Sequence, residues 1–427
     1  MNFFEREIAK YERRVKKIEA NPDPNLLASN KLLYEMWIHH RKDELAAWKA
    51  GKPFAVLDGL GAERILTAMG FHTIGMAADA DREVPEFPKH FETSKALGLH
   101  DSLCDRIIGG MGMVFDGDLP EPVFCTTGNF SCSPHQLSVL AVARHYKAPH
   151  FMIDIPIDYN EDTVKYMAKQ LEELIEFAEA KVPGVKFDMD KLVEAQEWEA
   201  KFMAHQKEAY MLRTTVPCPI SGRDVIRMPR FHHSDRERSV EYSQMLAQEM
   251  KVKADSGKGA LENERLRFYW MVSAPFYANP FKFLEDRGVA TVIFEFGGAS
   301  RSSDYKNSPP GLGEPEFGRK LTPLEEEARW MGWNTWGGDT ERRTQFVLDQ
   351  VECFKIDGIV HFQQSGCPLA LGSAQVIADR AEDALGIPSL LLEGRMLDEE
   401  FYNEEEVHEK LEEFIELCID RKEMAVV

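Results

Sequence analysis

Two rhythms of apolar positions run along the chain. Over residues 1 to 50, Leu32, Leu33, Met36, Trp37 and Leu45 recur at helical spacing as far as a Gly51 stop, which predicts a charged helical segment. From Lys52 the pattern changes to short continuous apolar runs. These lie at Lys52–Gly59, Phe71–Met76, Glu121–Thr127 and Pro149–Pro156, and helical patterns separate them at Ala62–Met69, about His135 to Lys147, and Asp162 to about Lys181. Runs of this kind predict strands buried on both faces, as in a parallel sheet flanked by helices. The same rhythm returns at Arg267–Val272, Val289–Glu295, Ile356–Phe362 and Ile387–Glu393, with an acidic helix to finish. Residues 184–262 carry only helical patterns, around Asp188–Leu212 and Ser239–Lys253. The expected fold is therefore α/β in two lobes, residues 1–183 and 263–427, joined by a helical connector, residues 184–262.

A length of 427 residues allows two to three domains and a large core. Charge narrows the partners. With 51 Lys+Arg against 72 Asp+Glu the net charge is -21, which repels nucleic acid and anionic membrane and suits a protein that meets small molecules or other proteins. No stretch approaches the ~18 uninterrupted apolar residues of a membrane span, and the charged start, Met1 to Glu7, has no leader-like apolar core. A cytoplasmic protein with no membrane partner is expected. The seven scattered cysteines do not form a disulfide framework, so reduced thiols are expected.

Several common motifs are absent. There is no GxxxxGK[ST] phosphate loop, no GxSxG elbow and no HExxH helix. Gly109-Gly110-Met111-Gly112 lacks dinucleotide-site spacing and predicts a tight turn or a close helix approach. The pairs His39-His40 and His232-His233 are not spaced as metal clamps. The segment from Gly297 to Gly318 is rich in Gly, Ser and Pro and reads as a lid or as a disordered surface loop.

Among the cysteines, Cys353 and Cys418 read as core fillers, Cys218 as structural, and Cys125 as a small strand residue. Cys104, Cys132 and Cys367 differ, because each precedes a helix near glycine or proline. There backbone N–H groups favour a thiolate. Three thiolates drawn from two lobes would suit a [4Fe-4S] cluster with one non-cysteine position, although no CxxC run announces one.

At these cysteines the sequence resembles the 2-hydroxyacyl-CoA dehydratase/benzoyl-CoA reductase superfamily. The likeness rests on Ser102-Leu103-Cys104-Asp105, on Asn129-Phe130-Ser131-Cys132 with Phe151-Met152-Ile153-Asp154-Ile155-Pro156, and on Cys367 between Asp357-Gly358-Ile359-Val360-His361 and Gly386-Ile387-Pro388. It implies a [4Fe-4S] cluster held by Cys104, Cys132 and Cys367 in the cleft between the lobes. It also implies a homologous cluster-bearing partner subunit, an ATP-hydrolysing iron–sulfur activator that supplies single electrons, and an acyl-CoA substrate.

Ala274-Pro275-Phe276-Tyr277, Phe281 to Gly288, and Arg41 to Lys52 look most like the cluster subunit of ATP-dependent benzoyl-CoA reductases, which places aromatic acyl-CoA reduction first. The alternatives are dehydration of an (R)-2-hydroxyacyl-CoA through a ketyl radical, and a non-catalytic relay or assembly partner. Relatives often carry a cation directly after the third cysteine, where this chain has Pro368. Ser133, His361 and Gln364 flank the ligand loops and are the proton-donor candidates, or else loop hydrogen-bonders. The arginines between Arg223 and Arg238 are the candidate contacts for CoA.

Overall fold

The computed structural model describes all residues except 22–25, 59, 130–131, 228–230, 296–309, 334–337 and 425–427. The chain opens with a helical hairpin, α1 (Phe3–Ala20) and α2 (Ser29–Lys49). The first lobe then runs β1 (Phe54–Asp58), α3 (Glu63–Ala68), β2 (His72–Gly75), α4 (Met76–Ala80), α5 (Phe87–Ala96), α6 (Asp105–Phe115), β3 (Phe124–Gly128), α7 (Ser133–Tyr146), β4 (His150–Ile153) and α8 (Glu161–Lys181). α9 (Met189–Met211), α10 (Gly222–Val225) and α11 (Arg236–Asp255) follow. The second lobe is β5 (Leu266–Met271), α12 (Pro280–Glu285), β6 (Val289–Phe294), α13 (Pro323–Gly332), α14 (Thr340–Cys353), β7 (Gly358–Gln364), α15 (Pro368–Leu385), β8 (Ser389–Gly394) and α16 (Glu404–Met424).

Each lobe holds a four-stranded, all-parallel sheet. The orders are β2-β1-β3-β4 and β6-β5-β7-β8, so both lobes share one topology. β1, β3, β5 and β6 are buried along their whole length, as their continuous apolar runs require. In both sheets the chain goes first to one side of the opening strand and then crosses to the other. The point of reversal lies between β1 and β3 in one lobe and between β5 and β7 in the other, and open α/β sheets bind ligands outside the carboxyl ends of strands at such points.

The polar stretch between β2 and Cys104, rich in Pro and Lys, contains α4 and α5. Its prolines sit in the first turn of helical segments, where a missing N–H costs nothing and the fixed φ is already helical. Gly110 and Gly112 explain the glycine run. A Cβ at Gly110 would stand 2.8 Å from the Met76 carbonyl, and one at Gly112 would overlap the backbone of His90, so α6 packs on α4 and α5 at backbone distance. α9 packs along α11, and α11 on α2. The hairpin is tied to the first lobe by the buried Arg41, which donates to Glu44 at 2.7 Å and to Asp79 at 2.5 Å. The segment expected as a loop from Gly297 to Gly318 lies outside the described residues as far as position 309; beyond that, Glu316 and Arg319 form an antiparallel bridge. Among the described residues, no helix is long and apolar enough to cross a membrane.

Candidate functional site

Cys104, Cys132 and Cys367 each occupy the N-cap position of a helix: α6, α7 and α15 respectively. α7 begins two residues earlier than the sequence pattern suggests, and both it and α15 start directly after the cysteine with proline in the first turn. At α1, α8 and α13, side chains of Asn2, Asn160 and Thr322 cap the first-turn amides. At the three cysteine-led helices the N-cap position holds a sulfur in place of such an oxygen. Burial pushes the Cys104 thiol well above its ordinary range, helped by the charges of Asp105 and Cys367, while Arg106 and its amide act in the opposite sense. Burial also raises the Cys367 thiol, against the amides of Ala370 and Leu369 and the charges of Arg106 and Arg343. The helix ends and the two cations therefore favour thiolate against a desolvation cost.

A latch between the lobes brings Cys104 and Cys367 together. Gly366 has φ +80, and a Cβ there would lie 2.5 Å from the Ser102 carbonyl oxygen and 2.7 Å from the Cys104 nitrogen. The second lobe's loop thus rests directly on the first lobe's cysteine. Next to it the fully buried carboxylate of Asp105 accepts from Gln364 Nε2 at 2.7 Å, from the Leu397 amide at 2.6 Å and from the Asp398 amide at 3.2 Å. Arg395 donates to the Asp101 carbonyl at 2.5 Å. Tyr277 donates to the Arg395 carbonyl at 2.9 Å, and the Phe276 amide to that of Met396 at 2.9 Å, so Ala274–Tyr277 backs the same latch.

Around this latch lie polar groups that the sequence pattern did not single out. Arg106 grips Asp81 with two bonds, at 2.6 and 2.7 Å, and its charge acts on Cys104, Cys367, Asp58 and His135. Asp58 ends β1 at the point of reversal. Its carboxylate accepts long bonds from the Ala77 amide at 3.3 and 3.4 Å and stands 3.9 Å from His135 Nδ1. Burial pushes Asp58 up to about 7, and burial with Arg106 pushes His135 down to about 3. The only sequence signal for Asp58 is an acidic residue closing an otherwise apolar strand.

In the second lobe, Glu295 accepts from the Val272 amide at 2.7 Å and pairs with Arg343 at 3.3 Å.

Of the three candidate proton donors, Ser133 is exposed in the first turn of α7. His361 lies buried in β7, its Nε2 has no hydrogen-bond partner, and burial with the Arg343 charge pushes it down to about 3, so it stays neutral through the physiological range. Gln364 is the latch donor, and its buried Oε1 has no partner. Asn129 joins the ends of β3 and β4: its amide donates to Asp154 at 2.5 Å, and its oxygen accepts from the Ile155 amide at 2.7 Å. Phe130 and Ser131 lie outside the described residues.

Two expectations look different in place. The four described candidate CoA arginines are each paired, Arg223 with Glu285, Arg227 with Asp224, Arg236 with Glu194 and Arg238 with Asp235; Arg230 lies outside the described residues. The pairs His39-His40 and His232-His233 pack among aromatic rings and connector residues: His40 lies 4.1 Å from His232, and Trp37 lies 4.2 Å from it.

Among the described residues no three His, Cys, Asp or Glu side chains are gathered closely enough to hold a metal ion. In kind the donors suit a thiolate-ligated iron–sulfur group: thiols from both lobes meet at helix N-termini, with Arg106 at hand to offset anionic charge.

A family model described as 2-hydroxyglutaryl-CoA dehydratase, D-component, matches residues 61–418, which is most of the chain. No curated protein sequence matches it.

Proposed function

Because the chain belongs to the 2-hydroxyglutaryl-CoA dehydratase D-component family, we propose that it is the iron–sulfur subunit of an enzyme that reduces an aromatic acyl-CoA of the benzoyl-CoA type. The family is enzymatic, of dehydratase type and related to benzoyl-CoA reductase, and its members bind iron–sulfur clusters. The observation that carries the proposal is the meeting of Cys104 and Cys367 across the lobes, each at a helix N-terminus and locked by Gly366 and Asp105.

In this reading Cys104, Cys132 and Cys367 hold a [4Fe-4S] cluster, which when bound supplies single electrons at low potential. The chain's own residues do the rest. The Asp105 latch fixes the two cysteine loops, and the cleft between the lobes keeps bulk water from the reduced substrate. Arg106 and Arg343 provide the positive charge that relatives often place after the third cysteine and that Pro368 cannot carry. A homologous cluster-bearing subunit and an ATP-dependent activator complete the assembly, as the family implies.

Aromatic reduction is favoured by the reductase-like stretch Ala274–Tyr277, which packs on the latch itself. Dehydration of an (R)-2-hydroxyacyl-CoA is the second reading, favoured by the description of the matched family. The assembled complex, supplied anaerobically with activator, ATP and reductant, is offered benzoyl-CoA and 2-hydroxyacyl-CoAs in parallel. Consumption of benzoyl-CoA with oxidation of the electron donor is expected. Release of an enoyl-CoA without net donor oxidation assigns the dehydratase reaction, and inertness toward both classes rejects the proposal.

A further inference from the structure

Residues 310–333 belong to the second lobe in sequence and to the first in space. They lie between β6 and β7, yet the buried Leu324, Ala328 and Met331 of α13 enter a core with Ile155, Val164 and Met167. Among the described residues, that core takes nothing else from the second lobe. Polar bonds tie this arm down along its length. Arg319 pairs with Glu161 at 2.9 Å, Gln196 Nε2 donates to the Pro323 carbonyl at 2.9 Å, and Glu327 pairs with Arg64 at 2.6 Å.

The arm closes around Tyr159, in the turn between β4 and α8. The Tyr159 hydroxyl donates to Glu316 at 2.9 Å, and Trp333 meets the ring edge-on at 5.3 Å. A Cβ at Gly332 would stand 3.2 Å from that ring and 2.7 Å from Met167 Cε. Residues from before and after α13 thus converge on one side chain.

The same turn holds the approach to Cys132. At its start, Asp154 and Ile155 bind Asn129 through the 2.5 and 2.7 Å bonds described above. The Tyr166 hydroxyl donates to Asp154 at 3.0 Å, and Gln170 bonds both the N–H and the carbonyl of Asp154 at 2.8 Å. On the other side of Cys132, Gln136 Nε2 donates to the Asn129 carbonyl at 2.8 Å, so Asn129 joins the turn to α7.

We propose that the arm is the positioning element for Cys132, with Tyr159 as its positioning residue. The Asp105 latch sets Cys104 against Cys367, and the arm reaches back from the second lobe to set the third cysteine through Tyr159, the Asp154–Ile155 turn and Asn129. A close-packed interior passes on small displacements, and the groups behind a metal ligand fix its orientation. The second lobe thereby acts on all three cysteines while supplying one. The ligand role of Cys132 rests on the functional reading above, whereas its placement by the arm does not.

The test uses the full chain, free of metal, as wild type, Tyr159→Ala, Tyr159→Phe and Glu316→Ala. The rate at which iodoacetamide alkylates each cysteine is read by peptide mass spectrometry at one fixed pH. In Tyr159→Ala, Cys132 is expected to react several-fold faster while Cys104 and Cys367 keep their wild-type rates. Tyr159→Phe and Glu316→Ala remove the hydroxyl bond and leave the core packing, and are expected to show the same pattern at smaller amplitude. They keep the test decisive if Tyr159→Ala does not fold. After anaerobic reconstitution, Tyr159→Ala should also lose iron to a chelator about 10-fold faster than the wild type. A wild-type Cys132 rate in every variant, or an increase shared equally by Cys104 and Cys367, overturns the proposal. Unchanged iron loss in a Tyr159→Ala protein whose Cys132 rate has risen overturns the link from the arm to the cluster. If the alkylation pattern appears and the wild type binds no iron, the arm still positions Cys132 and the functional reading falls.

Discussion

The two lobes share a strand order and differ in what they place at its point of reversal. In each, the helix that follows the third strand is N-capped by a cysteine, Cys132 after β3 and Cys367 after β7. The first lobe adds Cys104, reached through the helical excursion α4 to α6. The second lobe's long excursion carries Cys353 instead, at the end of α14 leading into the amino end of β7, on the opposite side of the sheet. Each lobe also buries a carboxylate at the carboxyl end of its sheet: Asp58 closes β1, and Glu295 directly follows the edge strand β6. Glu295 is tied to Arg343 and to an amide, whereas Asp58 faces a neutral histidine and is pushed up to about 7. One topology therefore sets a buried carboxylate against an arginine in one lobe and near a histidine in the other.

The strongest way to break the comparison is to cut the lobes apart. Asp105→Ala leaves the Gln364 amide only its long bond to the Ser365 carbonyl and strands the buried N–H groups of Leu397 and Asp398, and should cost about 3–5 kcal/mol in urea unfolding. A loss below about 1 kcal/mol would show that the latch does not hold the lobes.

Gly366→Ala comes next. Its positive φ and the 2.5 Å approach to Ser102 predict a loss of about 2–4 kcal/mol, together with weaker iron retention. Gly372→Ala, inside α15 with nothing within 4 Å, should instead stabilise by about 0.5–1 kcal/mol, and equal effects at the two glycines would contradict the close approach.

Smallest is a pH effect that compares one histidine from each lobe. His135 and His361 are both pushed down to about 3, so between that value and the ordinary histidine range the unfolded chain binds a proton that the folded chain does not. Each therefore costs stability as the pH falls below about 6.5. Measured by urea unfolding between about pH 6 and pH 5, His135→Gln and His361→Gln should each flatten the pH slope by about one proton, or ~1.4 kcal/mol per unit. Asp58 acts with the opposite sign, because its raised pKa favours the folded state toward acid and that contribution is lost as the pH rises through about 7.

Much of the scaffold was legible in the sequence because it depends on local pattern. The runs that became β1, β3, β5, β6 and β7 are apolar on both faces, and a cysteine ahead of a helix is visible at Cys104, Cys132 and Cys367. What stayed hidden depends on long-range pairing. Gln364 and Asp105 are 259 residues apart, and nothing near either one announces the other. Asp58 reads as the polar end of a strand until the fold sets His135 beside it. The Arg223–Arg238 stretch reads as cationic because only two of its acidic partners, Asp224 and Asp235, lie within it, while Glu285 and Glu194 lie elsewhere in the chain. Helix α5 was masked by Pro85 and Pro88, which sit in the first turn of helical segments, where helices accept them.

Everything turns on whether three cysteines from the two lobes hold one cluster. The direct measurement is iron and acid-labile sulfide per chain, with an EPR spectrum, after anaerobic reconstitution of the wild type and of Cys104→Ala, Cys132→Ala, Cys367→Ala and Cys353→Ala. About four irons per chain are expected in the wild type and in Cys353→Ala, with loss of the cluster signal in each of the other three. A full iron complement in Cys367→Ala, or a wild type that retains no iron, would contradict the account.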